Sequence, residues 1–334
     1  MRLAFHADLT HSQAAVLWNC RGELASRGID LFDAVLAPDA PCDAHVVHSA
    51  IVGFEPLMDT LLAGNAPVAI LERIDGGQLT GAVRRYLPRP NLVAVIKNTV
   101  YADWRKYNSA CWRGHEWGCR QAMGETGSEP QLPDRKWIDE IDYAKLHVGF
   151  SFAAYDHMRP LFDVEIPPFE DRPYVFNFAG TVDYGPDVPW LNWHRQRCVD
   201  AIREVPGTHF CEVGRPLSRE EYWQSLRESR ICVSPWGLGE PCWRDFEGIL
   251  CGCIVIKPCT SYVKTAPEGF YSEAVISCRP DFSDLPELVS GIQAGKFPLP
   301  APEWAGRVIG SASTEAVAAR MAELFESCFS GILT

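Results

Sequence analysis

The sequence predicts an α/β protein made of two Rossmann-like domains facing a central cleft. Three observations carry this. Over 334 residues, short apolar runs of strand length alternate with segments of helical periodicity, the pattern of a mainly parallel sheet with crossover helices. The stretch RPLFDVEIPPFEDRP, rich in proline and charge, interrupts the alternation as a connector would. A second α/β series then follows. The expected division is an N-terminal domain over 1–158, a linker over 159–173, a C-terminal domain over 174–312 and a closing helical segment over 313–334, packing back on the first domain.

Each element has its own signal. In the first half, β-branched and apolar runs mark strands at Arg2 to Phe5, Ala44 to Val47, Val68 to Leu71, Leu92 to Ile96 and Leu146 to Phe150. Helical spacing fills Gln13 to Ser26, Pro56 to Leu62 and Gly81 to Tyr86. In the second half, strands are expected at Tyr174 to Phe178, His209 to Val213, Ile231 to Ser234, Cys253 to Lys257 and Ala274 to Ser277. Helices fall at Trp193 to Glu204, Arg219 to Glu228 and Arg244 to Leu250, and Ser313 or Thr314 caps a last helix running to Phe329.

Composition narrows the class. Hydrophobic residues at 47% and charged residues at 22% describe a globular chain. A formal net charge of −12 disfavours nucleic acid and anionic membrane as general partners, so an anionic ligand must be met by a few placed cations. The 13 cysteines are odd in number and scattered, which fits reduced thiols rather than a disulfide framework. No zinc-type spacing appears, and no Asp-x-Asp pair that would hold a cation. No apolar run reaches the length of a membrane span, and MRLAFHADLTHSQ turns polar too early for a signal peptide, so the expected location is the cytoplasm.

The segment GLGEPCWRDFEGILCGCIVIKP raises the sharpest question. Arg244 and Glu247 share one face near the start of a short helix, behind a glycine-containing loop. That arrangement suits a phosphate; the alternative is a buried Arg–Glu pair. The wider stretch YWQSLRESRICVSPWGLGEPCWRDFEGILCGCIVI resembles the C-terminal half of exostosin-like glycosyltransferases, in the frame Tyr222, Leu226, Ser229, Cys232, Pro235, Gly237, Arg244, Glu247, Gly252, Cys253 and Ile254. A fainter echo lies in FNFAGTVDYGPDVPWLNWHRQR. The resemblance implies the two-domain GT-B fold and a nucleotide-sugar donor held by the second domain. Glu240 and Glu247 stand one residue closer than the paired glutamates of many retaining GT-B enzymes, so neither retention nor inversion is assigned.

On that reading Arg244 meets the diphosphate, because a guanidinium offers a bidentate fork that stays charged. Glu247 accepts from ribose or sugar hydroxyls, or else fixes Arg244. Gly180, Thr181, Arg195, Pro235, Gly237 and Lys257 complete the expected donor site. The first domain presents the acceptor and, for an inverting reaction, a base. His6 follows the first strand with Asp8 and His11 close behind; Glu72 and Asp75 end the third strand as alternative bases. His11, His48, Arg73 and Asn98 are the expected acceptor contacts. The expected function is metal-independent transfer of a sugar from a nucleotide-sugar donor to a glycan or other hydroxyl acceptor, with no cofactor. The alternatives are a nucleotide-sugar epimerase of the same fold and a non-catalytic glycan-binding or assembly domain.

Overall fold

The computed structural model describes residues 1–74, 76–111, 114–130, 138–205, 217–297 and 302–329. Two parallel sheets organise them. The first has six strands, β1 (Arg2–His6), β2 (Asp30–Asp33), β3 (Ala44–His48), β4 (Val68–Leu71), β5 (Leu92–Lys97) and β7 (Leu146–Val148), in the order β2-β1-β3-β4-β5-β7. The chain leaves β1 in one direction to β2 and returns on its other side to β3. The β1/β3 gap is therefore a topological switch point, where ligands of doubly wound sheets sit. Helices α1 (Ser12–Asn19), α2 (Arg21–Ser26), α3 (Phe54–Ala63) and α4 (Gly81–Tyr86) supply the first crossovers.

The second sheet has four described strands, β8 (Tyr174–Asn177), β9 (Ser229–Val233), β10 (Ile254–Pro258) and β12 (Val275–Cys278), in the order β12-β10-β9-β8. Helices α7 (Pro189–Glu204), α8 (Arg219–Arg227), α9 (Trp243–Leu250) and α10 (Leu285–Gln293) accompany it. The strand expected at His209 to Val213 lies outside the described residues. Both sheets are parallel and the described residues form the expected two-domain α/β arrangement.

A small antiparallel ribbon fixes how the domains face each other. β6 (Thr99–Tyr101) begins two residues after β5 ends and pairs with β11 (Val263–Thr265), which follows β10. The carboxyl ends of the two sheets are thereby turned toward one another. A short insertion helix of the first domain, α5 (Glu116–Ala122), packs on α7, and His115 just before it is buried against the second domain, hydrogen-bonded to Tyr262 Oη at 3.1 Å and to the Gly237 carbonyl at 3.1 Å.

The connector is not a loose tether. Arg172 is buried and donates to the carbonyls of Ser229 (2.9 Å) and Gly252 (2.8 Å), stapling the segment to the second domain. One hydrophobic cluster runs from Leu3, Phe5 and Leu17 through Phe152 and Met158 to Trp223, Phe246 and Phe270. Helices α11 (Pro302–Ser311) and α12 (Thr314–Phe329) join it: α12 packs on α1, α2 and β5, and Ser313 Oγ accepts from Ala316 N to cap it.

Candidate functional site

At the carboxyl edge of the second sheet, Ala179, Tyr184, Arg195, Tyr222, Gly237, Trp243, Arg244 and Glu247 line a pocket of about 390 Å³. Its floor is the loop after β9, and the loop after β8 closes one side. Arg195 rises from α7. Its Nε donates to the Trp236 carbonyl at 3.2 Å, its Nη1 to the Thr181 carbonyl at 2.6 Å, and its guanidinium lies 4.9 Å from the Tyr184 ring centre. Arg244, half-buried in the first turn of α9, sends Nη2 to the Ala179 carbonyl at 3.1 Å, and its Nε is buried without a partner.

The two cations meet at Gly180. A methyl group on that residue would collide with Arg244 Nη2 and stand 3.5 Å from Arg195 Nη1, so a side chain there would displace the Arg244 guanidinium from its present place. Burial and the neighbouring charge of Arg244 depress the proton affinity of Arg195, the mark of like charges held together out of water. Among the described residues neither arginine forms an ion pair with a carboxylate. Glu247 instead accepts from Trp223 Nε1 at 3.0 Å, and burial pushes its carboxyl upward against that hydrogen bond. Arg244 and Glu247 form no salt bridge, although the Arg244 charge still acts on the Glu247 carboxyl, against burial, to lower it.

The helix start contributes less than expected. Asp245 reaches back to the Cys242 N–H at 3.0 Å and caps α9 from within. Lys257 also departs from expectation: it does not line the pocket but is fully buried, its ammonium 2.8 Å from Glu240 and 3.1 Å from Asp245. A lysine at a strand end reads as a free cation until its partners, 17 and 12 positions upstream, are brought to it by the fold. Glu240, Cys242 and Asp245 place three ligand-type atoms within 4.8 Å of one another, and the Lys257 ammonium supplies the positive charge they need. Pro235 is buried behind the pocket wall, whereas Gly237 lines it and donates to Glu240 Oε1 at 2.9 Å. Trp243 covers the rim, stacked on His157 with ring centres 3.3 Å apart, a contact that sequence spacing does not reveal.

The facing edge of the first domain is rearranged more deeply. His6 turns to His45, with Nε2 3.0 Å from His45 Nδ1, and burial with that second imidazole lowers its pKa to about 4. The carboxylate acting on it is Asp33, not Asp8, so the expected His6–Asp8 pair does not form. Asp8 is exposed and accepts from Thr10 N and Oγ1 at 2.9 and 2.7 Å. Glu72 is fully buried and spent on structure, taking Ser49 Oγ and Thr80 Oγ1 at 3.0 Å each, which fastens the loop leading to α4. Asp75 lies outside the described residues. Asn98 is buried as well: its Oδ1 accepts from Gln13 and Tyr155, its Nδ2 donates to Phe150 O, and burial keeps it from an acceptor.

Three expected residues do come together at the switch point. His11 and His48 lie ring to ring, centres 4.3 Å apart, and the exposed Arg73 stands beside them, its N–H donating to Ser49 Oγ at 2.9 Å. A chain of contacts joins this edge to the pocket: Gln13 to Asn98, Asn98 to the Tyr155 hydroxyl, and Tyr155 to Trp243 with ring centres 5.9 Å apart. A larger cavity of about 680 Å³ opens between β7, β11 and α12, lined by residues such as Phe150, Lys264, Tyr271 and Arg320, and none of the expected site residues reaches it.

Neither a family model nor a curated protein matches the sequence. Solved structures resemble the fold. An alpha-glucosyltransferase in complex with UDP is 9% identical with a TM-score of 0.49, over 100% of this chain and 99% of that one. A glycosyltransferase from Rickettsia africae is 10% identical at 0.45, covering 98% of each chain. A sucrose-phosphate synthase from Thermosynechococcus elongatus is 12% identical at 0.44, over 99% of this chain and 100% of that one. At such identities and scores no activity is carried over from them.

Proposed function

We propose that this chain is a metal-independent glycosyltransferase of GT-B type, with the exostosin-like resemblance of its second domain marking the donor side. The observation that supports it is the pair of guanidinium groups, Arg195 and Arg244, converging on Gly180 in a pocket without an ion-paired carboxylate. A buried guanidinium beside a half-buried one is costly unless an anion completes them. A nucleoside diphosphate does so, and Arg244 can then offer charge-assisted hydrogen bonds where charge grows as the bond from the anomeric carbon to phosphate breaks. The leaving diphosphate takes that electron pair, and the acceptor hydroxyl, on the switch-point wall, forms the new bond to the sugar and gives its proton to the departing diphosphate.

Calorimetry with nucleoside diphosphates tests the site. Arg244→Gln should weaken binding by about 1.5–3 kcal/mol, the range for a hydrogen bond to a charged group. Unchanged affinity in the folded variant would remove the donor-site reading. Turnover of a nucleotide-sugar panel in excess EDTA should persist; loss restored by manganese or magnesium would contradict cation-free donor binding. Inversion of a ring carbon with the nucleotide still attached would replace transfer by epimerisation.

A further inference from the structure

We propose that the switch-point edge binds an anionic group of the acceptor, a phosphate or a carboxylate, at the start of α1 between His11, His48 and Arg73, and takes up a proton with it. The inference rests on the acceptor lying on this wall, as proposed above.

Four observations support it. His48 is completely buried, yet neither ring nitrogen has a hydrogen-bond partner, and His11 Nδ1 is buried and unpaired as well. Buried polar atoms are nearly always satisfied, so three orphaned imidazole nitrogens in one contact call for a ligand. Helix α1 begins at His11 with no side chain capping it and no acidic residue in its first turn, so its free N–H groups and positive dipole end face the same place. Arg73 adds an exposed cation whose charge acts on both rings. The opposing group is Asp8, whose Oδ1 is already occupied by Thr10.

The proton follows from the electrostatics. With the site empty, burial, then His11 and Arg73, push His48 down to about 3, and Asp8 opposes them weakly; His11 is lowered by burial and Arg73. Both rings are neutral at pH 7. An anion in contact reverses the sign of the local field, so His11, the less deeply buried ring, gains a proton on binding while His48 stays neutral, and affinity should rise as pH falls from 8 to 6.5.

The experiment is titration calorimetry on protein saturated with a nucleoside diphosphate, so that the donor pocket is filled. The probes are glucose 6-phosphate, glucuronate and glucose, in two buffers of different ionisation enthalpy at each pH. At least one anionic probe should bind about 10-fold or more tightly than glucose, and which one does so identifies phosphate or carboxylate. Its heat should depend on the buffer, showing net proton uptake. Arg73→Gln, at an exposed position, should weaken it about 10-fold, and His11→Phe should abolish the uptake. Equal affinities for all three probes, or an affinity that Arg73→Gln leaves unchanged, would overturn the inference while diphosphate binding still stood. Should His11→Phe fail to fold, the buffer dependence of the wild type and the Arg73→Gln comparison decide alone. Failure of the diphosphate itself to bind would count against the donor pocket, and the same comparison of wild type with Arg73→Gln in nucleotide-free protein would still decide the anion site.

Discussion

His194 shows how one buried side chain ties the donor pocket to pH. Its Nε2 accepts from the Trp236 N–H at 3.1 Å, so Nδ1 carries the proton and donates to the Pro280 carbonyl at 2.8 Å. The ring is neutral, and burial holds its pKa down to about 3, with Pro280 acting the other way. An unfolded histidine titrates near 6.5, so the unfolded chain binds the proton first. The contribution of His194 is therefore complete above about pH 6.5 and fades as pH falls toward 3. Between pH 6 and 4, His194→Asn should reduce the slope of unfolding free energy by about 1.4 kcal/mol per pH unit; an unchanged slope in denaturant titrations would refute this. The same residue marks what the sequence could convey. Arg244, Arg195 and Gly180 were legible because they follow strand ends within a recognisable frame. His6, Glu72, Asn98 and Lys257 occupy similar positions, but their partners lie far along the chain, as with His6 and His45 39 residues apart, and only the fold brings them together.

At the scale of elements, the loop from β9 to α9 is held by charge rather than by packing alone. Lys257 on β10 bridges Glu240 and Asp245, Gly237 donates to Glu240, and Ser234 and the Tyr271 hydroxyl donate to Asp245. Removing the ammonium leaves two buried carboxylates facing each other. Lys257→Met should lower stability by about 3–5 kcal/mol, the cost of breaking a buried ion pair, and weaken diphosphate binding in the molecules that stay folded. Urea unfolding checks the first effect and calorimetry the second; a variant as stable as the wild type would show that the loop does not depend on Lys257. The main strands of both sheets were legible from apolar runs bounded by turns. β2, with the sequence DLFD, was not, since two of its four residues are acidic. β6 and β11 are three residues each and acquire meaning only by pairing across the two domains.

For the whole molecule, the cluster through Phe152, Met158, Phe246 and α12 draws on both domains, beside a smaller apolar cluster within each, so melting either domain breaks the shared one. Scanning calorimetry should show one cooperative transition. Phe325→Ala, which empties a fully buried position on α12, should shift that single transition by about 3–5 kcal/mol of stability without splitting it. Two resolved transitions would mean that the seam is not a shared core. The β6–β11 ribbon adds a mechanical consequence. Together with the Phe152–Phe246 stack, it joins the two domains at separate places. With α5 packed on α7 and His115 bonded to Tyr262 as well, the domains are held at several separate places and have no single hinge axis, so a substrate reaches Arg244 past the exposed Trp243 rim without a swing of one domain on the other.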